Sequence, residues 1–312
     1  MISKKVLVTG GAGFIGSNLI KRLIEDGNSV TVIDNFMSGY RSNLEPFPSV
    51  QIIEGDIREK SAVEKTMQEV EIVFHLASSV GNKRSIDNPI ADADINVLGT
   101  LNILEAARKA GVRKIVTSSS AGIFGELKTM PIREDHPVEP DSPYGCTKLC
   151  QEKLCLTYGK LYDVDTVCLR YFNVYGPNQR YDAYGNAIPI FVFRMLNNEP
   201  ITIFGDGEQT RDFVHVDDVV QANIKAAESE GISGAFNIAS GKSISINDLV
   251  KIIIKRDRSA RIEYGPARAG DVKHSLADIS LANRKFNYNP TVDLEKGIDD
   301  YISWALGIND KF

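Results

Sequence analysis

Short β-branched runs alternate with longer amphipathic stretches through the first half of the chain: Lys5–Thr9, Gly16–Gly27, Ser29–Asp34, Ala62–Glu69 and Ile72–Leu76. The rhythm continues with Asn96–Lys109 as a helix, Lys114–Ser118 as a strand, Pro143–Lys160 as a helix and Thr166–Leu169 as a strand. Strand followed by helix, repeated, predicts βαβ units and a parallel sheet. After Gly176 the regularity weakens into turn-rich sequence with Pro177, Pro189, Gly205, Gly207, Gly241, Pro266 and Gly270, so a smaller, loop-built region is expected there. Phe213–Glu228 and Ala235–Ala239 read as a helix and a strand that rejoin the main sheet. The expected organisation is therefore α/β and interleaved: residues 1–175 with returning segments 213–239 in one domain, and 176–212 with 240–312 in the other. No internal repeat or low-complexity tract interrupts it.

Composition narrows the partners. A chain of 312 residues buries a large core, which excludes a small disulfide-stapled scaffold. A formal charge of −5, with both signs interspersed, gives no electrostatic reason to seek nucleic acid or anionic lipid, so small molecules are the expected partners. The cysteines Cys146, Cys150, Cys155 and Cys168 contain no Cys-x-x-Cys, and Met1–Gly10 runs straight into Val6-Leu7-Val8 without a signal-peptide apolar region. A cytoplasmic protein with reduced thiols is expected. Apolar runs such as Ile252-Ile253-Ile254 are far too short to cross a bilayer.

Strand Lys5–Thr9 leads into Gly10-Gly11-Ala12-Gly13-Phe14-Ile15-Gly16, in which Gly10, Gly13 and Gly16 have the spacing of a dinucleotide-binding turn. Glycines permit the tight turn and let backbone N–H groups approach a pyrophosphate at a helix N-terminus. The motif alone is weak, but here it follows a strand, precedes an amphipathic stretch and is followed by a second strand ending in Asp34. An acidic residue at that distance meets a ribose 2′-hydroxyl and repels the 2′-phosphate of NADP, so NAD is the expected cofactor. Asp56-Ile57, after Gln51–Glu54, falls where a third strand ends. It could frame the adenine or be an ordinary loop.

In Asp141-Ser142-Pro143-Tyr144-Gly145-Cys146-Thr147-Lys148, cap-type residues and a first-turn proline precede Tyr144, four residues before Lys148 and on the same helix face. With eleven tyrosines in the chain, Tyr-x-x-x-Lys arises readily by chance, and context must carry it. Upstream, Ser118-Ser119-Ser120 ends a strand at the C-terminal edge of the sheet, where open α/β folds hold ligands. A free tyrosine ionises near pH 10, so as a base at neutral pH it needs neighbouring positive charge, which Lys148 and an oxidised nicotinamide would supply. An ion pair at ~4 Å in an effective dielectric of about 20 is worth on the order of 4 kcal/mol, before desolvation is subtracted. Ser120 would hydrogen-bond the same substrate hydroxyl, or simply end the strand.

With these three elements in order, the chain resembles the extended short-chain dehydrogenase/reductase family, and within it the UDP-hexose 4-epimerases. The similarity spans essentially the whole chain: Thr9–Gly16, Phe74-His75-Leu76-Ala77, Asn96-Val97-Leu98-Gly99-Thr100, Ser118–Gly125, Tyr144–Lys148, Leu169–Pro177, Arg211–Asp218 and Arg268-Ala269-Gly270-Asp271-Val272. It implies a Rossmann doubly wound parallel sheet with a smaller, interleaved C-terminal substrate domain. It further implies that Phe14, Ile15, Asp34, Asn35, Asp56, Ile57, Leu76, Ala77, Asn96, Ser118, Lys148 and Phe172 contact NAD. Asn173, Ala187, Phe204, Arg211, Arg268 and the segment carrying Asp271 and Ser275 would hold the UDP-sugar. A homodimer is implied by the same similarity. Arginines match diphosphate oxygens in forked geometry, and Phe204 could stack on uracil or pack in a core. His75 reads as a satisfied core residue, and Cys146 with Cys150 is weak as a zinc site, so no metal is expected.

Relatives that dehydrate or decarboxylate the sugar carry acidic residues just after the serine position, where this chain has Ala121-Gly122. That leaves oxidation, rotation of the keto sugar and reduction: a 4-epimerase interconverting gluco and galacto forms. Phe124 stands where a tyrosine is usual in the family. Ser275 stands where epimerases restricted to plain hexoses carry a bulky tyrosine, which leaves room for a 2-N-acetyl group; UDP-GlcNAc and UDP-GalNAc join UDP-Glc and UDP-Gal as expected substrates. UDP-glucuronate stays open through Lys83, Arg84 and Arg180. The rival readings are a dehydrogenase or reductase of the same fold, and a non-catalytic NAD-sensing protein.

Overall fold

The computed structural model describes residues 3–181, 186–267 and 272–309. Among the described residues twelve strands are formed: β1 (Lys5–Thr9), β2 (Ser29–Asp34), β3 (Gln51–Glu54), β4 (Ile72–His75), β5 (Lys114–Ser120), β6 (Asp165–Tyr171), β7 (Asn173–Tyr175), β8 (Ile201–Phe204), β9 (Thr210–His215), β10 (Gly234–Ile238), β11 (Ser243–Ser245) and β12 (Ile262–Gly265). Seven make one parallel sheet in the order β10-β6-β5-β4-β1-β2-β3, so the Rossmann doubly wound reading of the sequence holds. The winding reverses between β1 and β4. Loops leaving these two neighbours turn to opposite sides and open a crevice at their C-terminal ends, the place where such sheets take ligands.

Period-two alternation explains how the sheet is covered on both faces. Val6 and Val8 face one way, with Val116 and Val167, against helices Phe14–Glu25 and Val216–Glu228. Leu7 faces the other way, with Ile33, Val73 and Ile115, against Lys60–Thr66, Thr100–Ala110 and Pro143–Tyr162. A separate apolar cluster joins Ile188, Val192, Ile201, Ile203, Leu249, Ile253, Ile298 and Tyr301. Around it lie the three-stranded sheet β11-β9-β7 and the parallel pair β12-β8.

Several element limits differ from the sequence pattern. The first helix begins at Phe14, two residues early, because Gly13 in extended backbone already serves as its cap. The helix placed at Asn96 starts instead as Pro89–Ala93, widens into a π-helical turn at Asp94–Gly99, and continues as Thr100–Ala110. Phe213–Glu228 is corrected in its first three residues: Phe213 to His215 finish β9, outside the main sheet, and the helix starts at Val216. There the His215 side chain accepts from Asp217 N, and Asp217 and Asp218 occupy the first turn, favourable at the positive end of the helix. β10 does return to the main sheet, beside β6.

Candidate active site

The glycine turn lies at the C-terminal end of β1. Gly10 takes φ +70°, and a Cβ there would sit 2.8 Å from the Ala77 backbone; a Cβ at Gly16 would fall 2.3 Å from Gly10 O. Both glycines are demanded by the fold itself. Gly13 differs: its nearest obstacle is Gly10 O at 3.2 Å, and no side chain caps the helix it opens. The first-turn N–H groups, at Phe14, Ile15 and Gly16, therefore remain available to an anion. Asp34, at the end of β2, binds the turn through Oδ2 to Ala12 N (2.9 Å) and Oδ1 to Phe36 N (2.8 Å). Burial pushes its carboxyl above the usual range while those two bonds pull it back. An uncapped helix start, a bare glycine surface and an acidic strand end fit a dinucleotide.

Beyond β3, Asp56 is gripped by the Arg58 guanidinium (2.9 and 2.8 Å) and by Asn35 Nδ2 (2.7 Å). The Arg58 hydrogen bonds bring it down to about 2. Ile57 is a core residue whose side chain fills the space left by Gly99. Leu76 N and Ala77 N, after β4, both donate to Thr9 Oγ1 (3.1 and 3.0 Å), which fixes the second wall of the crevice. His75 is buried as expected: Nδ1 meets Thr9 Oγ1 at 2.8 Å and Nε2 meets Thr100 Oγ1 at 2.9 Å. Thr9 Oγ1 already accepts two N–H groups and Thr100 Oγ1 donates to Asn96 O, so Nδ1 accepts and Nε2 carries the hydrogen. Burial, then the Lys148 charge, hold this imidazole down to about 3.

Ser142 caps helix Pro143–Tyr162 through Gly145 N, and Pro143 occupies the first turn. This launches Tyr144 and Lys148 beneath the end of β5. The Tyr144 ring packs on Gly122, where a Cβ would lie 3.5 Å from Cε1. Ser120 Oγ accepts from Gly122 N (3.1 Å). Lys148 is 1 % exposed and its ammonium donates to Ser118 O (2.7 Å), Gln151 Oε1 (2.6 Å), Ser118 Oγ (3.2 Å) and Ser78 Oγ (3.4 Å). Desolvation brings it down to about 8. Burial pushes the Tyr144 phenol up, with Ser120 as the opposing influence.

Asn96 is fully buried: Oδ1 accepts from Ser78 Oγ (2.7 Å) and Ser79 N (2.8 Å), while Nδ2 donates to Ser79 O, Asp92 Oδ2 and Thr147 Oγ1. It clamps the loop after β4 to the catalytic helix. Two supports had no signal in the motif spacing. Glu152, one turn beyond Lys148 and fully buried, receives Arg170 of β6 in a fork (2.9 and 2.8 Å) and Ser119 Oγ (2.7 Å). Asp212 of β9, also fully buried, accepts from Ser240 N, Gly241 N and Ala277 N, tying β9 to the segment around Ser275.

On the substrate side, Phe172 is buried beside Phe124 (centroids 6.3 Å apart), in a small cluster with Ile132 and Ala277. Phe124 lies inside this cluster, with the Arg170 guanidinium 5.2 Å from its ring centroid. Asn173 Nδ2 donates to Asp212 O (3.0 Å), Ala187 starts the helix Ala187–Leu196, and Phe204 ends β8 against Gly265. Arg211 Nη1 donates to Thr210 O and Val272 O. Ser275 is buried, next to the Ile132–Ala277 bridge. Arg268 and Asp271 lie outside the described residues. Among the described residues no three His, Cys, Asp or Glu side chains converge as metal ligands, and no helix is long and apolar enough to cross a membrane.

Comparison with known proteins gives this geometry its relatives. The model of the NAD dependent epimerase/dehydratase family matches residues 6–239. UDP-glucose 4-epimerase of Mycolicibacterium smegmatis is 39% identical over 306 residues, covering 94% of this chain and 96% of that protein. Among solved structures, UDP-N-acetylglucosamine 4-epimerase of Methanobrevibacter ruminantium, in complex with UDP-N-acetylmuramic acid, superposes with TM-score 0.94 at 38% identity, covering 98% of this chain and 99% of that one. UDP-glucuronic acid 4-epimerase of Bacillus cereus, in complex with UDP-glucuronic acid and NAD, gives TM-score 0.90 at 34% identity, over 97% and 99%.

Proposed function

Because the chain belongs to the NAD dependent epimerase/dehydratase family, we propose that it is an isomerase that inverts C4 of a UDP-hexose, interconverting gluco and galacto forms through a 4-keto sugar. One observation carries the reading: the Tyr144 ring packs on Gly122, and the two residues that follow Ser120 are Ala121 and Gly122, so neither of these positions supplies a carboxylic acid. Loss of water from the sugar, or assisted loss of carbon dioxide, calls for such an acid. Proton exchange at a single hydroxyl does not.

Bound NAD supplies a hydride acceptor that becomes the donor for the return step. Phe14, Ile15 and Gly16 N–H groups would hold its pyrophosphate, Asp34 its adenosine ribose, and Leu76–Ala77 the opposite wall. Tyr144 takes the proton of the 4-hydroxyl, and Ser120 hydrogen-bonds that oxygen while the hydride leaves. Lys148 anchors the loop ends at Ser118 and Ser78 and adds positive charge below the phenolate. After the keto sugar has turned its other face, Tyr144 returns the proton. Asn173, Arg211 and Phe204, with Arg268, would retain the UDP group during that turn.

Small, buried Ser275 supports acceptance of 2-N-acetyl sugars alongside plain ones. Exposed Ile86 (60 %), Ile90 (78 %) and Leu98 (54 %), on the helical segments that pack against the catalytic helix, support a homodimer. The free thiols suit the cytoplasm. Incubation of purified protein with UDP-glucose, UDP-N-acetylglucosamine and UDP-glucuronate, each with and without added NAD, tests the reading. Conversion to the matching galacto sugar without net NADH supports it; steady NADH release points to a dehydrogenase, and inert sugars to a sensor.

A further inference from the structure

The N–H groups that open helix Pro143–Tyr162 can each be traced to a partner. Pro143 has none to place, Gly145 N bonds the cap hydroxyl Ser142 Oγ (3.1 Å), and Cys146 N bonds Ser142 O (3.0 Å). Tyr144 N finds its acceptor outside the helix. It donates to Ser85 Oγ (3.0 Å), which the short helix Asn82–Asp87 brings in from the chain after β4. Ser85 is fully buried, and its hydroxyl gives its own hydrogen to Asn82 O (2.7 Å), so toward Tyr144 N it acts as acceptor. A second bond joins the same two segments, from Ser142 Oγ to Asn82 Oδ1 (3.0 Å). The helix start is also pressed on the turn after β5: a Cβ on Gly145 would lie 2.4 Å from Gly122 O.

Ser142 already caps this helix in the ordinary way. What the Ser85 hydroxyl adds is location. It ties the peptide that carries the Tyr144 side chain to the segment that runs on from Leu76, Ala77 and Ser78, the wall of the crevice, where Ser78 also receives the Lys148 ammonium. We propose that Ser85 is a positioning residue that fixes where the Tyr144 phenol stands relative to the cofactor wall, and so its reach to the sugar hydroxyl. This rests on the epimerase reading above. Misplacing a reacting group by about 1 Å costs up to about 10²-fold in rate, so a backbone hydrogen bond at the base itself governs turnover.

The test compares Ser85→Ala, Ser85→Thr and Ser85→Val in NAD-loaded protein. Threonine and valine have nearly the same shape and differ in the hydroxyl, so the burden of the added methyl cancels between them. With UDP-glucose and UDP-N-acetylglucosamine, kcat should fall about 10- to 100-fold in the alanine and valine variants and recover in the threonine variant, while KM and NAD retention stay unchanged. A loss carried by KM or by release of NAD, or a threonine variant no better than valine, would overturn the proposal. If the two larger side chains prevent folding, alanine, which adds no atom, decides alone. A second readout needs no turnover. In protein labelled with fluorotyrosine, the fluorine resonance missing from Tyr144→Phe reports this ring; it should shift or broaden in Ser85→Ala, and an unmoved resonance would overturn the proposal. Wild-type protein inert toward every UDP-sugar, with a Tyr144 resonance that responds as described, sinks the epimerase reading alone.

Discussion

Tyr144 and Ser275 carry the two sharpest expectations for single side chains. Tyr144→Phe keeps the ring on Gly122 and removes only the hydroxyl, so NAD should stay bound while turnover drops by about 10²-fold or more, the scale of a lost general base. Near-normal turnover with intact binding would refute the assigned role. Ser275→Tyr inserts a large ring beside Ile132 and Ala277 and should depress kcat/KM for acetylated sugars more than for plain ones. Equal losses on both would remove the gate. Tyr144 was singled out because proton transfer restricts the residue types around it, and Ser275 through the family resemblance alone. Asp92 was not. A carboxylate four residues before Asn96 on a helix reads as a solvated face, and its burial depends on Thr147, far along the chain. Asn96, expected as a cofactor contact, has its side chain hydrogen-bonded to Ser78, Ser79, Asp92 and Thr147.

At the level of elements, the Glu152–Arg170 fork joins the catalytic helix to β6, and Ser119 adds the end of β5. Glu152→Ala leaves an unpaired guanidinium with almost no solvent access, and the expected cost is about 3–5 kcal/mol in urea unfolding. The double replacement Glu152→Leu with Arg170→Met should recover much of that loss, since the uncompensated charge goes too. A double variant as unstable as the single one would show that the fork also supplies packing the apolar pair cannot. Hydrophobic rhythm made the strands and helices legible, yet it misread Phe213 to His215 as helical. Alternation there serves a three-stranded sheet, and the helix begins only where Asp217 N meets the His215 ring. The π-helical turn at Asp94–Gly99 left no mark in periodicity either, because its extra residue per turn is absorbed within one amphipathic stretch.

The whole molecule should register the buried imidazole of His75. Its folded value, about 3, lies below the ordinary 6.5. Above pH 6.5 the group is neutral folded or unfolded and contributes nothing to pH dependence. Between 6.5 and 3 the unfolded chain binds a proton that the native site refuses, so stability falls with acidification, at up to ~1.4 kcal/mol per pH unit. His75→Asn should flatten the fall in urea midpoint between pH 7 and pH 5, whatever it costs at neutral pH; an unchanged slope would assign acid sensitivity elsewhere. Parallel order and two-sided burial were visible in the first half of the sequence. The second half was less so, because short strands that pair with distant partners, such as β8 with β12, carry too few residues to reveal them.

The return of β10 to the seven-stranded sheet fixes an order of events during synthesis. β6 emerges from the ribosome some sixty residues before Gly234–Ile238, the strand that covers its open side. Until then a row of unsatisfied amides and carbonyls faces solvent, a template for pairing with any other extended chain. A fragment ending near residue 175 would keep that edge permanently bare and should be recovered as aggregate rather than as a free-standing nucleotide-binding unit.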